Sequence, residues 1–511
     1  MRGKPFLTLP QPVWPTRIPP IGSRLIRARL RTGRQAPLAP AALTVHAVPK
    51  NGRTGVEMEP GSRNRMMRRS RAMMVSPRLW RPRLVFWLGA LAAGLAGAGF
   101  AAICNQAQFA FAALIGDEGW RRFLPLLVTP AGFIFCAFMA DRYFPGSQGS
   151  GIPQCIAARH LRDDEYALSS LSLKTIFGKI VLTIVGLATG ASIGREGPTV
   201  QIGASLVLQA GRLGGMGRAR GLILAGSAAG LAAAFNTPLA GVVFAIEEMG
   251  RSYQARTNGV VLVAVIISGI ASIAVAGNYT YFGVTKAVAA FPGDWPLVIT
   301  CGIVGGMFGA AFSEAVLRLT TSIRRWRSVQ PRWRVFGTAA VAGLIVAILG
   351  IATHGEVFGT GYSQARSAIE GAHLPATFFI AKLVANLAST VSGIPGGIFA
   401  PALAVGAGLG SALGPLFGAN ASLAAVLGMA GYFSGVVQSP MTAFVIIVEM
   451  TGNQDNIVPL MAASVLGYGT ARLISPTPLY HALSRFFIAD VLRRRRAENV
   501  TTWEAVVGTT D

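Results

Sequence analysis

The sequence predicts an all-α polytopic membrane protein built from two related halves, and three observations carry that prediction. Hydrophobic residues make up 52% of the 511 and charged residues only 13%, with a mean hydropathy of +0.50. A soluble domain carries roughly 25% charged residues. Uncharged stretches near spanning length recur at 84–103, 221–246, 259–277, 295–312 and 335–352, and about 20 apolar residues cross a bilayer core. A Gly/Pro motif also occurs twice. Gly194-Arg195-Glu196-Gly197-Pro198, leading to Gly203, matches Gly397-Ile398-Phe399-Ala400-Pro401, leading to Gly406, at an offset of 203 residues. Asn236-Thr237-Pro238, leading to Glu247, matches Gln438-Ser439-Pro440, leading to Glu449, at an offset of 202. Gly/Pro-broken segments at the same place in two halves of a membrane protein are the pattern of a transporter with its site at the repeat interface.

Residues 1–83 read as a disordered, cytoplasmic basic arm. They carry 18 Lys or Arg against Glu57 and Glu59, which is +16 of the net +25, and show no apolar period. Pro37 and Pro40 make 36–48 a poor signal peptide. The methionines from Met58 to Met74 offer alternative natural starts. Other basic clusters lie in short connections: Arg212, Arg218 and Arg220, then Arg324 to Arg334, then Arg493 to Arg496. The positive-inside rule places all of these, and both termini, in the cytoplasm. The charge therefore reads as topology and lipid attraction, with no nucleic-acid partner.

Residues 84–485 form the membrane domain, with halves of about 84–277 and 295–485, and 486–511 is a short cytoplasmic tail. That tail is too short for a regulatory domain. Several helices beside the Gly/Pro motifs look too short to span, a geometry tolerated where backbone lines a cavity.

Four segments carry the chemistry: Gly149-Ser150-Gly151-Ile152-Pro153, the two paired motifs, and Pro478-Leu479-Tyr480. Glycine allows a sharp turn and close approach, and proline suits a first helical turn. The helix N-termini that follow offer free N–H groups and a positive dipole end to an anion. Ser150 and Tyr480 add neutral hydroxyl donors. Without a Lys or Arg cluster, this inventory suits a small, weakly basic anion. Glu196 is an ionisable group in an apolar stretch, which marks function. A carboxylate that favours a helix N-terminus occupies an anion site itself, so it should compete with a permeating anion and leave when protonated. Of Glu247 and Glu248, Glu247 matches Glu449 and reads as structural. Glu248 faces Met450 in the repeat and is the candidate internal proton relay.

The four cysteines, Cys104, Cys136, Cys155 and Cys301, read as buried small hydrophobes. Five scattered histidines suggest no metal site, and no cofactor is expected. No nucleophile–base pair or phosphate loop points to an enzyme.

Taken jointly and in this order, Gly149-Ser-Gly-Ile-Pro153, Gly194-Arg-Glu-Gly-Pro198, Gly397-Ile-Phe-Ala-Pro401 and Tyr480 resemble the CLC chloride channel/transporter family, in its prokaryotic form without CBS domains. The resemblance implies two inverted-topology repeats of tilted, partly spanning helices, and a homodimer in the lipid bilayer of a bacterial inner or plasma membrane, each subunit with its own anion path. By motif match, Ser150 and Tyr480 bind chloride, surrounded by Gly151, Ile152, Arg195, Gly197, Ile398, Phe399 and Ala400. Glu196 is the external gate and proton acceptor, and Glu248 falls where proton-coupled members carry their internal glutamate. The implied activity is H⁺/Cl⁻ antiport, with a passive voltage- or pH-gated chloride channel as the alternative. A cation or solute carrier is disfavoured by the lack of a substrate-sized set of charged side chains. One departure stands out: Gln154 follows Pro153 where relatives often carry Glu, and Cys155, Ile156 and Ala157 supply no acid either, which puts the supply of protons to Glu248 in doubt.

Overall fold

The computed structural model describes residues 77–507 except 117–118, 162–165, 167–168, 218, 251–254, 278 and 330. The part of the basic arm before residue 77 lies outside the described residues.

The first half runs α1 (Pro77–Leu114), α2 (Pro125–Arg142), α3 (Ile152–His160), α4 (Leu173–Ala188), α5 (Glu196–Leu213), α6 (Ala219–Phe235), α7 (Pro238–Phe244) continued by a wider π turn (Ala245–Gly250), and α8 (Ala255–Ala276). The second half repeats the order: α9 (Trp295–Val329), α10 (Pro331–Ala352), α11 (Tyr362–Ile369), α12 (Ala376–Val391), α13 (Phe399–Leu413), α14 (Ala421–Val437), α15 (Pro440–Thr451) and α16 (Ile457–Ile474). A last helix, α17 (Leu479–Val507), follows.

Among the described residues, seven helices are long and apolar enough to cross a membrane, and α6, α12, α14 and α15 are shorter apolar helices. The uncharged stretch 221–246 is not one span. Pro238 cannot donate to a continuing helix, and Asn236 just before it has φ +57°, so the chain breaks between α6 and α7. The equivalent break between α14 and α15 has Gln438 at φ +55°. The tail expected at 486–511 continues α17 as helix through Val507, and α1 begins inside the arm boundary, at Pro77.

Two contacts establish that the halves are inverted. Glu247, at the C-terminal end of α7, accepts hydrogen bonds from the α15 N-terminus: Met441 N at 3.1 Å, Thr442 N at 2.6 Å and Thr442 Oγ1 at 2.7 Å. Glu449, at the C-terminal end of α15, accepts from the α7 N-terminus: Leu239 N at 3.0 Å and Ala240 N at 2.6 Å. Each helix caps the other's free amides with a carboxylate, which requires them to run antiparallel. Gly194 and Gly397, one offset apart, exchange reciprocal hydrogen bonds of 2.7 and 2.6 Å in an antiparallel bridge.

The core lies between the paired helices, and small residues bring backbones together there, as membrane packing requires. A side chain on Gly226 of α6 would collide with the carbonyl of Gly203 on α5, and one on Gly428 of α14 with that of Gly406 on α13. The two collisions are repeat equivalents.

Candidate anion and proton site

Two short loops set the stage. Gly149 and Gly151 have φ of +65° and +102°, and Gly359 and Gly361 have +63° and +75°, left-handed conformations that favour glycine. The first pair precedes α3 and the second precedes α11. Each loop is held by a buried lysine. Lys179 Nζ donates to the Gly149 carbonyl at 2.7 Å. Lys382 Nζ donates to the carbonyls of Gly359 at 2.9 Å and Val357 at 2.8 Å. Both lysines are fully buried and stand 203 residues apart in the middle of α4 and α12. The sequence reading missed them. A lysine inside an apolar helix, repeated at the motif offset, was the signal that could have found them.

The loop before α3 delivers Ser150 against Gly197 in the first turn of α5, where an added side chain on Gly197 would overlap the Ser150 hydroxyl and carbonyl. Tyr480, at the start of α17, is fully buried, and its ring lies 5.7 Å from that of Phe399. Ser150 and Tyr480 are neighbours, yet neither hydroxyl reaches hydrogen-bond geometry with any described residue. The two hydroxyls lie close enough to interact with each other, and each keeps hydrogen-bonding capacity that no other described residue fills.

Glu196 opens α5 and is completely buried. Its Oε2 accepts from the Ala400 amide at 3.4 Å, and its Oε1 has no partner among the described residues. The carboxylate therefore lies between the N-termini of α5 and α13, where unpaired N–H groups and two dipole ends converge. The residue at the same place in the second motif, Phe399, turns its ring into an aromatic cluster with Phe433 at 4.9 Å and with Phe244 and Phe235 at 6.1 and 6.4 Å. Ile398, Phe399 and Ala400 are all buried, and of their amides that of Ala400 bonds Glu196. Gly151 and Ile152 are buried at the head of α3.

Arg195 stands slightly apart from the other predicted residues. Its Nη1 donates to the Ala101 carbonyl at 2.5 Å and Asn105 Oδ1 at 2.7 Å, and its guanidinium lies over the Tyr281 ring at 5.6 Å. It lines a cavity of about 720 Å³ together with Asn105, Tyr279 and Tyr281.

Glu248 sits in the π turn with its side chain 1% exposed. Its Oε2 accepts from Ser439 Oγ at 2.5 Å, a partner the sequence reading did not name. His481, next to Tyr480 in the chain, places Nε2 at 2.9 Å from the Glu248 carbonyl and 4.0 Å from its Oε1. All four cysteines are free and buried, as expected.

With this geometry in place, the family model for the voltage gated chloride channel matches residues 131–472. The chain belongs to this family. It is 33% identical over 387 residues to a protein of Yersinia pestis bv. Antiqua (strain Angola) named H(+)/Cl(-) exchange transporter ClcA, covering 70% of this chain and 78% of that one. A protein of the same name from Salmonella agona (strain SL483) is 32% identical over 399 residues, covering 73% and 81%. Among solved structures, a slow cyanobacterial Cl⁻/H⁺ antiporter superposes with a TM-score of 0.70 at 25% identity, over 80% of this chain and 98% of the other. A CLC-type fluoride/proton antiporter superposes with 0.67 at 25% identity, over 79% and 98%. The chain is an integral membrane protein with the fold of these transporters.

Proposed function

We propose that this chain is a proton-coupled chloride antiporter in which Glu196 is both gate and proton acceptor and Glu248 is the internal proton relay. One observation carries the reading: the Glu196 carboxylate occupies a helix N-terminus position suited to an anion, beside two buried hydroxyls that find no partner beyond each other. As a carboxylate it excludes chloride from the N-termini of α5 and α13. Once protonated it loses the charge that holds it there, the side chain leaves, and chloride takes its place against the amides, Ser150 and Tyr480. The proton on Glu196 then exchanges with the opposite side through Glu248, which Ser439 holds in place and which lies near Tyr480. Anion and proton use the same position in alternation, so each moves against the other.

The names of the exchange transporters and antiporters it resembles support this reading over a passive channel, as does an acid at 248. The reading extends to a homodimer with one pathway per subunit, in a bacterial inner or plasma membrane, with both termini cytoplasmic. Arg324 pairs with Asp490 at 2.5 Å, which supports putting the basic connection after α9 on the same side as α17. The experiment is reconstitution into liposomes with simultaneous chloride and pH readout. An imposed chloride gradient should drive protons uphill. Chloride movement with no proton movement would make the protein a channel.

A further inference from the structure

The sequence leaves Glu248 without an evident proton supply, and the first two turns of α3 offer none. Gln154 uses its amide on the carbonyls of Gly146 and Gln148, at 3.3 and 2.5 Å, so it braces the loop. Ile156 is buried and cannot ionise.

A different path is present. Glu248 is 1% exposed, His481 is 15% exposed, and His160 at the end of α3 is exposed. The two imidazole rings stand edge to face with centroids 6.1 Å apart. His160 Nδ1 lies 2.9 Å from the Ile156 carbonyl, which leaves its other nitrogen for its surroundings. These three groups form a graded series from water to the buried carboxylate. We propose that His481 is the positioning and proton-loading residue for Glu248, with His160 as its outer neighbour. The proposal rests on Glu248 being the internal relay.

The step balances simply. The imidazolium of His481 turns its Nε2–H from the Glu248 carbonyl to a Glu248 carboxylate oxygen and gives up that proton there. The N–H bond breaks, the O–H bond forms, and neutral imidazole is recharged from water or His160. The separation of 4.0 Å to Oε1 closes to the 2.6–3.2 Å of proton transfer with about 1 Å of side-chain movement. Imidazole suits the task because its ordinary pKa of about 6.5 lets it load and unload near neutrality. The charged and titratable groups near His481 include Glu248 from the π turn, His160 from α3 and Tyr480, its neighbour in the chain, which also faces Glu248. Arg159 is tied to the Met249 carbonyl, and Asp490, farther along α17, is tied to Arg324.

The test uses full-length protein in liposomes, with proton and chloride fluxes measured together from about pH 5 to 8. His481→Gln should lower proton flux at least about tenfold relative to chloride flux. His481→Glu should restore proton flux with a pH midpoint different from wild type, because a carboxyl beside the buried Glu248 feels a like-charge repulsion that an imidazole does not. A purely structural histidine would not produce that shift. A wild-type proton-to-chloride ratio in His481→Gln, or a wild-type midpoint in His481→Glu, overturns the proposal. If His481→Gln does not yield monodisperse protein, the midpoint of His481→Glu decides alone. Glu248→Gln is run alongside: if it still moves protons, the reading of Glu248 fails, a result distinct from failure at His481.

Discussion

Replacing Glu196 with alanine separates anion binding from gating, and the structure sets the size of the effect. The carboxylate makes a charge-assisted contact with the Ala400 amide at the α13 N-terminus and sits on its own helix end. Hydrogen bonds to charged groups contribute about 1.5–3 kcal/mol. A tethered carboxylate at two helix N-termini competes with the ion at high local concentration even through a long 3.4 Å contact, and chloride affinity is reduced by the fraction of time it occupies the position. At 1.4 kcal/mol per factor of ten, Glu196→Ala should tighten chloride binding by roughly 10- to 100-fold. Protonating the wild-type glutamate should mimic part of this gain.

The assay is calorimetric titration of chloride into purified protein, wild type and Glu196→Ala, at neutral and acidic pH. In liposomes the variant should carry chloride but never drive protons. Equal affinity in the two proteins at neutral pH would refute the reasoning, because it would mean that Glu196 does not occupy the site that chloride uses.

The other predictions concern the parts around this gate. Glu248→Ala should abolish proton movement while chloride flux continues, read in the same liposome assay. Ser150→Ala and Tyr480→Phe each remove one hydroxyl donor, and each should weaken chloride binding by about 0.5–1.5 kcal/mol, roughly 2- to 12-fold by calorimetry. Glu247→Gln and Glu449→Gln each take the charge from a helix cap, at about 1–2 kcal/mol. Both should lower the thermal stability of the detergent-solubilised protein by similar amounts, since in each, one carboxylate oxygen facing a helix amide becomes an amide donor. Lys382→Met leaves the carbonyls of Val357 and Gly359 without their donor, at about 1–3 kcal/mol each. It should sharply reduce the yield of monodisperse protein on size exclusion.

Much of the architecture was legible because duplication writes itself into spacing. The offset of 203 pairs Gly194 with Gly397, and those two residues are bonded to each other across the repeat. The match of Glu247 to Glu449 marked a structural pair, and the structure gives the reason in their reciprocal caps. The break inside 221–246 was harder to see, since Asn236 and Thr237 carry no charge and hydropathy passes over them. His481 and Ser439 were not legible. Each acts on Glu248 from a distant part of the chain, and no spacing links 248 to 439 or 481. Arg195 was expected beside the anion from its motif, but its guanidinium follows contacts with α1 that no local pattern records.

The comparison between halves separates scaffold from chemistry. Where the repeat keeps the same residue, it keeps a position: Lys179 and Lys382 hold Gly149 and Gly359, and Glu247 and Glu449 cap α15 and α7. Where it differs, one half carries the reactive group. Glu196 is answered by Phe399, whose ring is locked in aromatic packing, and Glu248 by the buried Met450. The sharpest contrast lies in the residue between the two loop glycines. In the second half it is Thr360, whose amide and hydroxyl both donate to Gln108 Oε1, at 2.9 and 3.1 Å. In the first half it is Ser150, buried with its hydroxyl unsatisfied. The same loop, held by the same lysine contact, ends in a closed hydrogen-bond set on one side and an open one on the other. An unmade hydrogen bond at a buried donor costs about 1–3 kcal/mol, a cost the second half avoids and the first half retains. The open donor of Ser150 is therefore what the proposed anion would satisfy, so the first half's loop contributes a hydroxyl to the shared site and the second half's loop does not.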